Sequence, residues 1–291
     1  MREPDLYHSA LTKAIIAKHD FVIQKKYGQN FLIDGRVLQK IVDAAEITKE
    51  DFILEIGPGI GTLTQFLAWK GGKVCAVEID RKLIGVLQET LADFENTEVI
   101  HNDILKMDLK ALIEEKSDGR PVKVVANLPY YITTPVIMQL LEQALPIKSI
   151  TVMIQKEVAL RMSAAPATSA YGSLSLAVQY YAKPYLAANV PQNCFFPRPN
   201  VDSAVIRLEK YKEPPVTVKD EALMFRLIRA GFQQRRKTLA NSIANVAGLG
   251  LKKETIISVI EGKGHDAGIR GETLSLADFA KLSDAFYAML N

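Results

Sequence analysis

The sequence predicts an α/β fold, a doubly wound and mostly parallel sheet, followed by a small all-helical domain. Three observations carry this. From about residue 51, strand-like and helix-like segments alternate; the strand-like ones are near-continuously apolar, as strands covered on both faces are; and beyond a Pro-rich, charged stretch at 211–220 the apolar spacing changes to three and four residues.

In order, "DFILEIG" reads as a strand, "TLTQFLAWKGG" as a helix, "KVCAVEID" as a strand, "KLIGVLQETLADF" as a helix and "TEVIHND" as a strand, and the alternation resumes with "KVVANLP", "TPVIMQLLEQAL" and "SITVMIQ". The small-residue loop "SAAPATSAYG" interrupts it, and "PQNCFFPRPN" precedes a last alternating strand, "VDSAVIRL". The last strands are expected to pair antiparallel at one edge. "YKEPPVTVKD" has the composition of a linker, and the three segments after it, from "EALMFRLIRAGFQQRRKTLANSIANVAG" to "LSLADFAKLSDAFYAML", read as amphipathic helices. The expected division is 1–212, including a basic extension over 1–30, and 213–291.

The 291 residues suffice for two domains, and 48% hydrophobic with 24% charged residues is the composition of an ordinary globular protein. Neither Cys75 nor Cys194 belongs to a CxxC pair or has a histidine at ligand spacing, so reduced thiols and no metal are expected. The first twenty residues carry scattered charges and no continuous apolar run, which excludes a signal peptide and a membrane span and makes cytoplasmic the expectation.

"ILEIGPGIGTLT" is a strand, a Gly-rich turn and a helix start, the place where a doubly wound sheet binds a nucleotide-like ligand. Gly57, Gly59 and Gly61 let the backbone approach such a ligand closely. The dinucleotide spacing fails, because its last glycine would fall on Thr62 or Thr64, and no Lys or Arg occurs from 53 to 69 to meet a pyrophosphate. The E-x-G-x-G-x-G pattern resembles the first motif of class I methyltransferases, which bind S-adenosylmethionine, and an acidic rim at Glu55 suits a sulfonium cation. Glu78 ends the next strand, well placed to accept two ribose hydroxyls. Asp103 ends the third, where it could accept from an adenine amine or cap the following turn.

"VVANLPYYITTP" ends a buried strand in a loop without Ser, Cys, His, Asp or Glu. An adenine amine is a poor nucleophile because its lone pair is delocalised into the ring. Acceptors on its two hydrogens, the Asn127 side-chain oxygen and the Leu128 or Pro129 carbonyl, would favour the pyramidal nitrogen of a transition state. Tyr130 offers a face for an extruded base, and of Tyr130 and Tyr131 one is expected to be packing. No base is needed.

Together, "GQNFLID", "EIGPGIGTLT", "NDIL", "NLPYY" and "FFPRPNVDSAVIRL" resemble the ribosomal RNA adenine dimethyltransferase family, and "RAGFQQRRKTLANSI" resembles its small-subunit branch. The resemblance spans nearly the whole chain in the expected order. It implies a Rossmann-like, seven-stranded catalytic domain, S-adenosylmethionine as cofactor, and methyl transfer to two adjacent adenosines near the 3′ end of 16S rRNA in the small ribosomal subunit or its precursor. Carried over by motif, Asn30 and Leu32 contact the methionine part of the cofactor, Gly57 its amino acid end, Glu78 the ribose and Asp103 the adenine. Asn127, Leu128, Pro129 and Tyr130 form the catalytic loop, and Phe195 sandwiches the target base against Tyr130. Phe196 is assigned to packing, and Asn200 stands where the family often has Lys.

The positive charge expected to meet RNA comprises Lys25 and Lys26, with Arg226, Arg229, Arg235, Arg236 and Lys237 in a stretch free of acidic residues. A solvated helix face is the plainer reading of that run. Two other functions remain: a large-subunit rRNA dimethyltransferase of the macrolide-resistance type, against which "RRKTLANS" speaks, and a non-catalytic RNA-binding relative, against which the intact "NLPY" speaks. The chain is expected to act as a monomer, without membrane or metal.

Overall fold

A computed structural model of the chain describes residues 2–21, 24, 28–234, 236–246 and 249–290. The backbone divides into two compact units, Met1–Ala159 with Pro184–Lys210, and Leu160–Lys183 with Tyr211–Asn291.

In chain order the first unit carries α1 (Ser9–Lys18), β1 (Phe31–Leu32), α2 (Gly35–Ala45), β2 (Phe52–Ile56), α3 (Thr62–Lys70), β3 (Lys73–Glu78), α4 (Arg81–Thr90), β4 (Thr97–His101), α5 (Leu109–Lys116), β5 (Val122–Asn127), α6 (Thr133–Glu142) and β6 (Ile147–Gln155). Helix α7 (Lys156–Met162) leads into the second unit, which holds α8 (Ser173–Tyr181); β7 (Ala182–Val190) leads back to β8 (Phe195–Phe196) and β9 (Ser203–Lys210). The second unit continues with α9 (Glu221–Gln233), α10 (Leu239–Ile243), α11 (Lys253–Gly262) and α12 (Leu276–Leu290).

Seven strands form one sheet in the order β4-β3-β2-β5-β6-β9-β7. The pairings from β4 through β6 are parallel, and β9 runs antiparallel to β6, as the alternating last strand implied. Every residue of β2 is buried, which its continuous apolar run requires of a central parallel strand. The chain builds outward from β2 to β4 and then returns to place β5 on the other side of β2. That reversal opens a crevice at the carboxyl ends of β2 and β5, where doubly wound sheets bind ligands. Aspartates start α4 and α5: Asp80 and Asp108 accept from the amides of Lys82 and Ala111, each cap contributing about 1 kcal/mol.

One expectation is corrected. The helical unit is not confined to 213–291, because Leu160–Lys183 belongs to it. Leu176 and Tyr180 of α8 are buried with Leu227, Phe279 and Phe286, and the Tyr171 hydroxyl donates to the Leu274 carbonyl at 2.8 Å. The described part of the basic amino-terminal extension is packed onto the first unit. Leu6 is 1% exposed, and the amides of Asp5 and Leu6 both donate to the Gln65 side-chain oxygen. Leu11, Ile15 and Ile16 pack α1 onto the first unit's core, and Lys18 and His19 both reach Glu89. Among the described residues no helix is long and apolar enough to cross a membrane.

Candidate active site

The crevice at the strand reversal is a cleft of about 1000 Å³, counted to its open mouth, and it collects residues from six separate stretches of the sequence. Asn30, Leu32, Glu55, Gly57, Gly59, Glu78, Asp103, Asn127, Leu128, Pro129, Tyr130 and Phe195 all line it. Gly61 lies deeper, capping α3 in a left-handed conformation. Glu55, Glu78 and Asp103 supply carboxyls, and no Lys, Arg or His stands among the described lining residues.

The glycine turn fits the wall for steric reasons. Gly59 has φ +62, and a Cβ there would meet the Phe31 ring at 3.1 Å, so a side chain would be both strained and obstructed. Its amide donates to Glu78 Oε2 (3.1 Å), while Glu78 Oε1 accepts from the Asp80 amide (2.7 Å). Glu78 thereby ties the glycine turn to the end of β3, and each oxygen keeps a lone pair for a hydroxyl. Burial pushes its carboxyl up to about 7, against the pull of those two amides.

Glu55 does not form a rim. It is 1% exposed, its Oε2 has no hydrogen-bond partner among the described residues, and burial pushes its carboxyl up to about 8. Burial thus favours its neutral form, so its attraction for a cation operates by giving up a proton. Asp103 caps a single turn, its Oδ1 accepting from the Leu105 amide at 3.1 Å, and the residue also lines the cleft.

The loop after β5 is fixed by four hydrogen bonds. The Leu128 amide donates to the Met153 carbonyl (3.1 Å). The Asn127 Nδ2 donates to the Asn30 carbonyl (3.2 Å), which leaves Oδ1 as the free acceptor of that carboxamide. The Pro129 carbonyl already accepts from the Ile132 amide and the Thr133 hydroxyl, both at 3.2 Å. Of the two carbonyls expected as partners for an amine, Leu128 is therefore the one at liberty. Asn30 also turns its own Nδ2 to the Gly28 carbonyl (3.0 Å), so its role in orienting Asn127 runs through its main chain.

Tyr130 is half-buried, and its hydroxyl lies 2.8 Å from the Ser203 Oγ. Phe195 is 4% exposed and stands opposite Leu32 in the antiparallel β1–β8 pair. Tyr131 is not packing in a core: it is 53% exposed at the mouth, its ring 3.6 Å from where a Cβ on Gly28 would lie. Phe196 is partly exposed, with the Lys13 ammonium over its ring. Sequence reasoning missed Gln29, whose Nε2 donates to Asp80 Oδ2 at 2.9 Å across the cleft wall, and Ser203; "GQN" and the final serine of "PRPNVDS" were the available signals.

In the second unit, Arg229, Arg236 and Lys237 are exposed and Arg226 is half-buried, on or just beyond a helix whose Leu223, Met224, Leu227 and Ile228 are buried. Lys25, Lys26 and Arg235 lie outside the described residues. Among the described residues no three His, Cys, Asp or Glu side chains come together as metal ligands would.

Residues 20–268 match the model of the ribosomal RNA adenine dimethylase family. A curated relative from Lachnoclostridium phytofermentans, named ribosomal RNA small subunit methyltransferase A, is 58% identical over 274 residues, 94% of each chain. Among solved structures, a dimethyladenosine transferase from Plasmodium falciparum superposes with a TM-score of 0.74 at 28% identity, covering 87% of this chain and 95% of that one. The 23S rRNA methyltransferase ErmE shares the fold at 24% identity with a TM-score of 0.67, covering 89% of this chain and 100% of its own.

Proposed function

The chain belongs to the ribosomal RNA adenine dimethylase family, and from that premise we propose that it methylates the N6 amines of two adjacent adenosines near the 3′ end of 16S rRNA, in the small ribosomal subunit or its precursor, using S-adenosylmethionine. The observation that carries the reading is a cleft with three carboxyls and no cation among its described lining residues, and with two acceptors at the end of β5, Asn127 Oδ1 and the Leu128 carbonyl, left open among the described residues. The curated relative's name directs the choice of small-subunit rRNA.

The residues present fit the cofactor. Glu78 retains acceptor capacity for ribose hydroxyls, Asp103 stands just past the end of β4 for the adenine amine, and Glu55, sealed and with its Oε2 open among the described residues, answers a positive charge. Asn30, Leu32 and the Gly57 turn border the methionine end. When bound, S-adenosylmethionine supplies a methyl group on a positively charged sulfur, with a neutral thioether as leaving group.

The chain's own work is positional. Asn127 Oδ1 and the Leu128 carbonyl each accept one hydrogen of the adenine amine, which pulls the nitrogen toward a pyramidal shape and localises its lone pair. Tyr130 and Phe195 receive the extruded base on their faces, an interaction contributing roughly 1–3 kcal/mol per base in comparable sites. The methylated ammonium is acidic enough to lose its proton to water, so no side chain has to serve as base. Arg226, Arg229, Arg236 and Lys237 supply phosphate contacts in the second unit, and Lys25, Lys26 and Arg235 add to them. The same reading places the chain in the cytoplasm, where its substrate is assembled, acting as a monomer without a metal ion.

A tritiated-methyl assay against under-methylated small subunits, large subunits and naked oligonucleotide tests this. Label is expected on small subunits alone. Label on large subunits would overturn the substrate assignment in favour of the activity named for ErmE, and label on none would overturn the activity.

A further inference from the structure

The hydroxyls of Tyr130 and Ser203, 2.8 Å apart, join two loops whose residues are 73 positions apart in sequence. Ser203 is fully buried and opens β9, opposite Gln155 of β6. Its predecessor Asp202 is tied twice: its carbonyl accepts from the Lys156 amide (3.0 Å) and its Oδ1 from the Gln192 amide (3.2 Å). Between Gln192 and Asp202 the chain carries Phe195, itself held by the β1–β8 pair and by the Cys194 carbonyl, which accepts from the Ile33 amide at 2.8 Å. Phe195 and Ser203 therefore belong to one braced loop. The Tyr130 ring comes from a different loop, and the hydrogen bond to Ser203 joins its far end to that brace.

We propose that Ser203 is a positioning residue for methyl transfer: its hydroxyl holds the Tyr130 ring at a set distance from Phe195, so that the slot for the target base exists before the base arrives. The inference rests on reading Tyr130 and Phe195 as the two faces that receive that base. Ordering a ring during folding removes the need to order it on binding, and it keeps the amine aligned with the two acceptors during reaction. The benefit belongs to RNA and not to the cofactor, whose proposed contacts include neither Tyr130 nor Ser203.

A double-mutant cycle tests this on the full chain, with Ser203→Ala, Tyr130→Phe and the double variant assayed against under-methylated small subunits. Each single change is expected to lower kcat/KM for RNA by about three- to tenfold, the scale of immobilising one side chain, while the dissociation constant for S-adenosylmethionine stays within about twofold. The double variant is expected to be no worse than the poorer single one, since both singles remove the same bond. Thermal melts of all four proteins establish that each is folded at the assay temperature. Losses that multiply in the double variant, an equal loss of cofactor affinity, or a Ser203→Ala enzyme matching wild type would each overturn the proposal. Wild-type protein that transfers no methyl to small subunits would overturn the functional reading beneath it, a result distinct from an active wild type with a silent Ser203→Ala.

Discussion

Strands β2 and β5 end in opposite kinds of chemistry. At their amino ends Lys123 is 3% exposed, and its ammonium meets Asp51 Oδ2 at 2.9 Å and the Glu46 carbonyl. Asp51 also accepts from the Thr48 amide and hydroxyl at 2.7 and 3.0 Å. Burial alone would raise the Asp51 carboxyl, but the bonds from Lys123 and Thr48 outweigh it and hold the group below its ordinary value. Four residues further along the same chains, roughly 13 Å by the rise of a strand, stand Glu55 and Asn127. There a buried carboxyl oxygen and a carboxamide oxygen are left without partners among the described residues. One end completes its hydrogen bonds internally and the other leaves them open, as the proposed ligands require. The difference teaches that a buried polar group has to be judged by its partners: burial is shared by both ends, and satisfaction is not.

The comparison can be broken at either end. The largest effect is expected from Lys123→Met, which leaves Asp51 buried opposite hydrocarbon; unfolding free energy should fall by about 3 kcal/mol in denaturant titrations, with turnover per folded molecule unchanged. Reduced turnover at full folding would mean the two ends are coupled. Next comes Asn127→Ala, which should lower methyl transfer at least about tenfold, about 1.4 kcal/mol of transition-state stabilisation, with cofactor affinity and melting temperature nearly unaltered. Equal losses in transfer and in cofactor binding would remove Asn127 from the transition state.

Acid titration separates the ends by sign. Glu55 stays protonated in the fold to about pH 8, whereas the unfolded chain ionises it near 4.5. Between those values the fold holds more protons than the unfolded chain, so this group's contribution to stability declines as pH rises. Asp51, depressed below 3.8, behaves in reverse: its contribution is intact above that value and disappears as pH falls through the folded one. Glu55→Gln should therefore flatten the decline in melting temperature between about pH 5 and about pH 8 while leaving the acid limb alone, with Glu78 accounting for the remaining slope up to about 7. A profile identical to wild type would show that Glu55 is ionised in the empty fold. The smallest effect belongs to Arg236→Gln in the second unit, which should reduce the slope of log RNA affinity against log salt by about 0.7–0.9 and touch neither strand end; an unchanged slope would take Arg236 out of the phosphate contacts.

What could be read from the sequence was what the chain encodes locally. The glycine turn, the carboxyls at the ends of β3 and β4, and the Asn-Leu-Pro-Tyr loop each announce themselves within a few residues, because turn conformation and strand burial depend on near neighbours. Contacts closed over long separations were hidden. The Asn30 carbonyl that orients Asn127 is 97 residues away from it, and the partners Gln29 and Asp80 are 51 apart. Nor could a motif say that Thr133 and Ile132 occupy the Pro129 carbonyl, which decides between two candidate acceptors. The membership of 160–183 in the helical unit was hidden for the same reason: the burial of Tyr171, Leu176 and Tyr180 depends on residues from 223 onward.

The composition of the cleft wall also decides what stays out. Nucleoside triphosphates present the same purine and sugar as the proposed cofactor but end in multiple negative charges. Lined by Glu55, Glu78 and Asp103 with no lysine, arginine or histidine among its described residues, the wall offers such polyphosphates no counter-ion where their tails would lie. Selection against these competitors thus rests on the lack of a counter-ion among the described lining residues, with no gate or rearrangement.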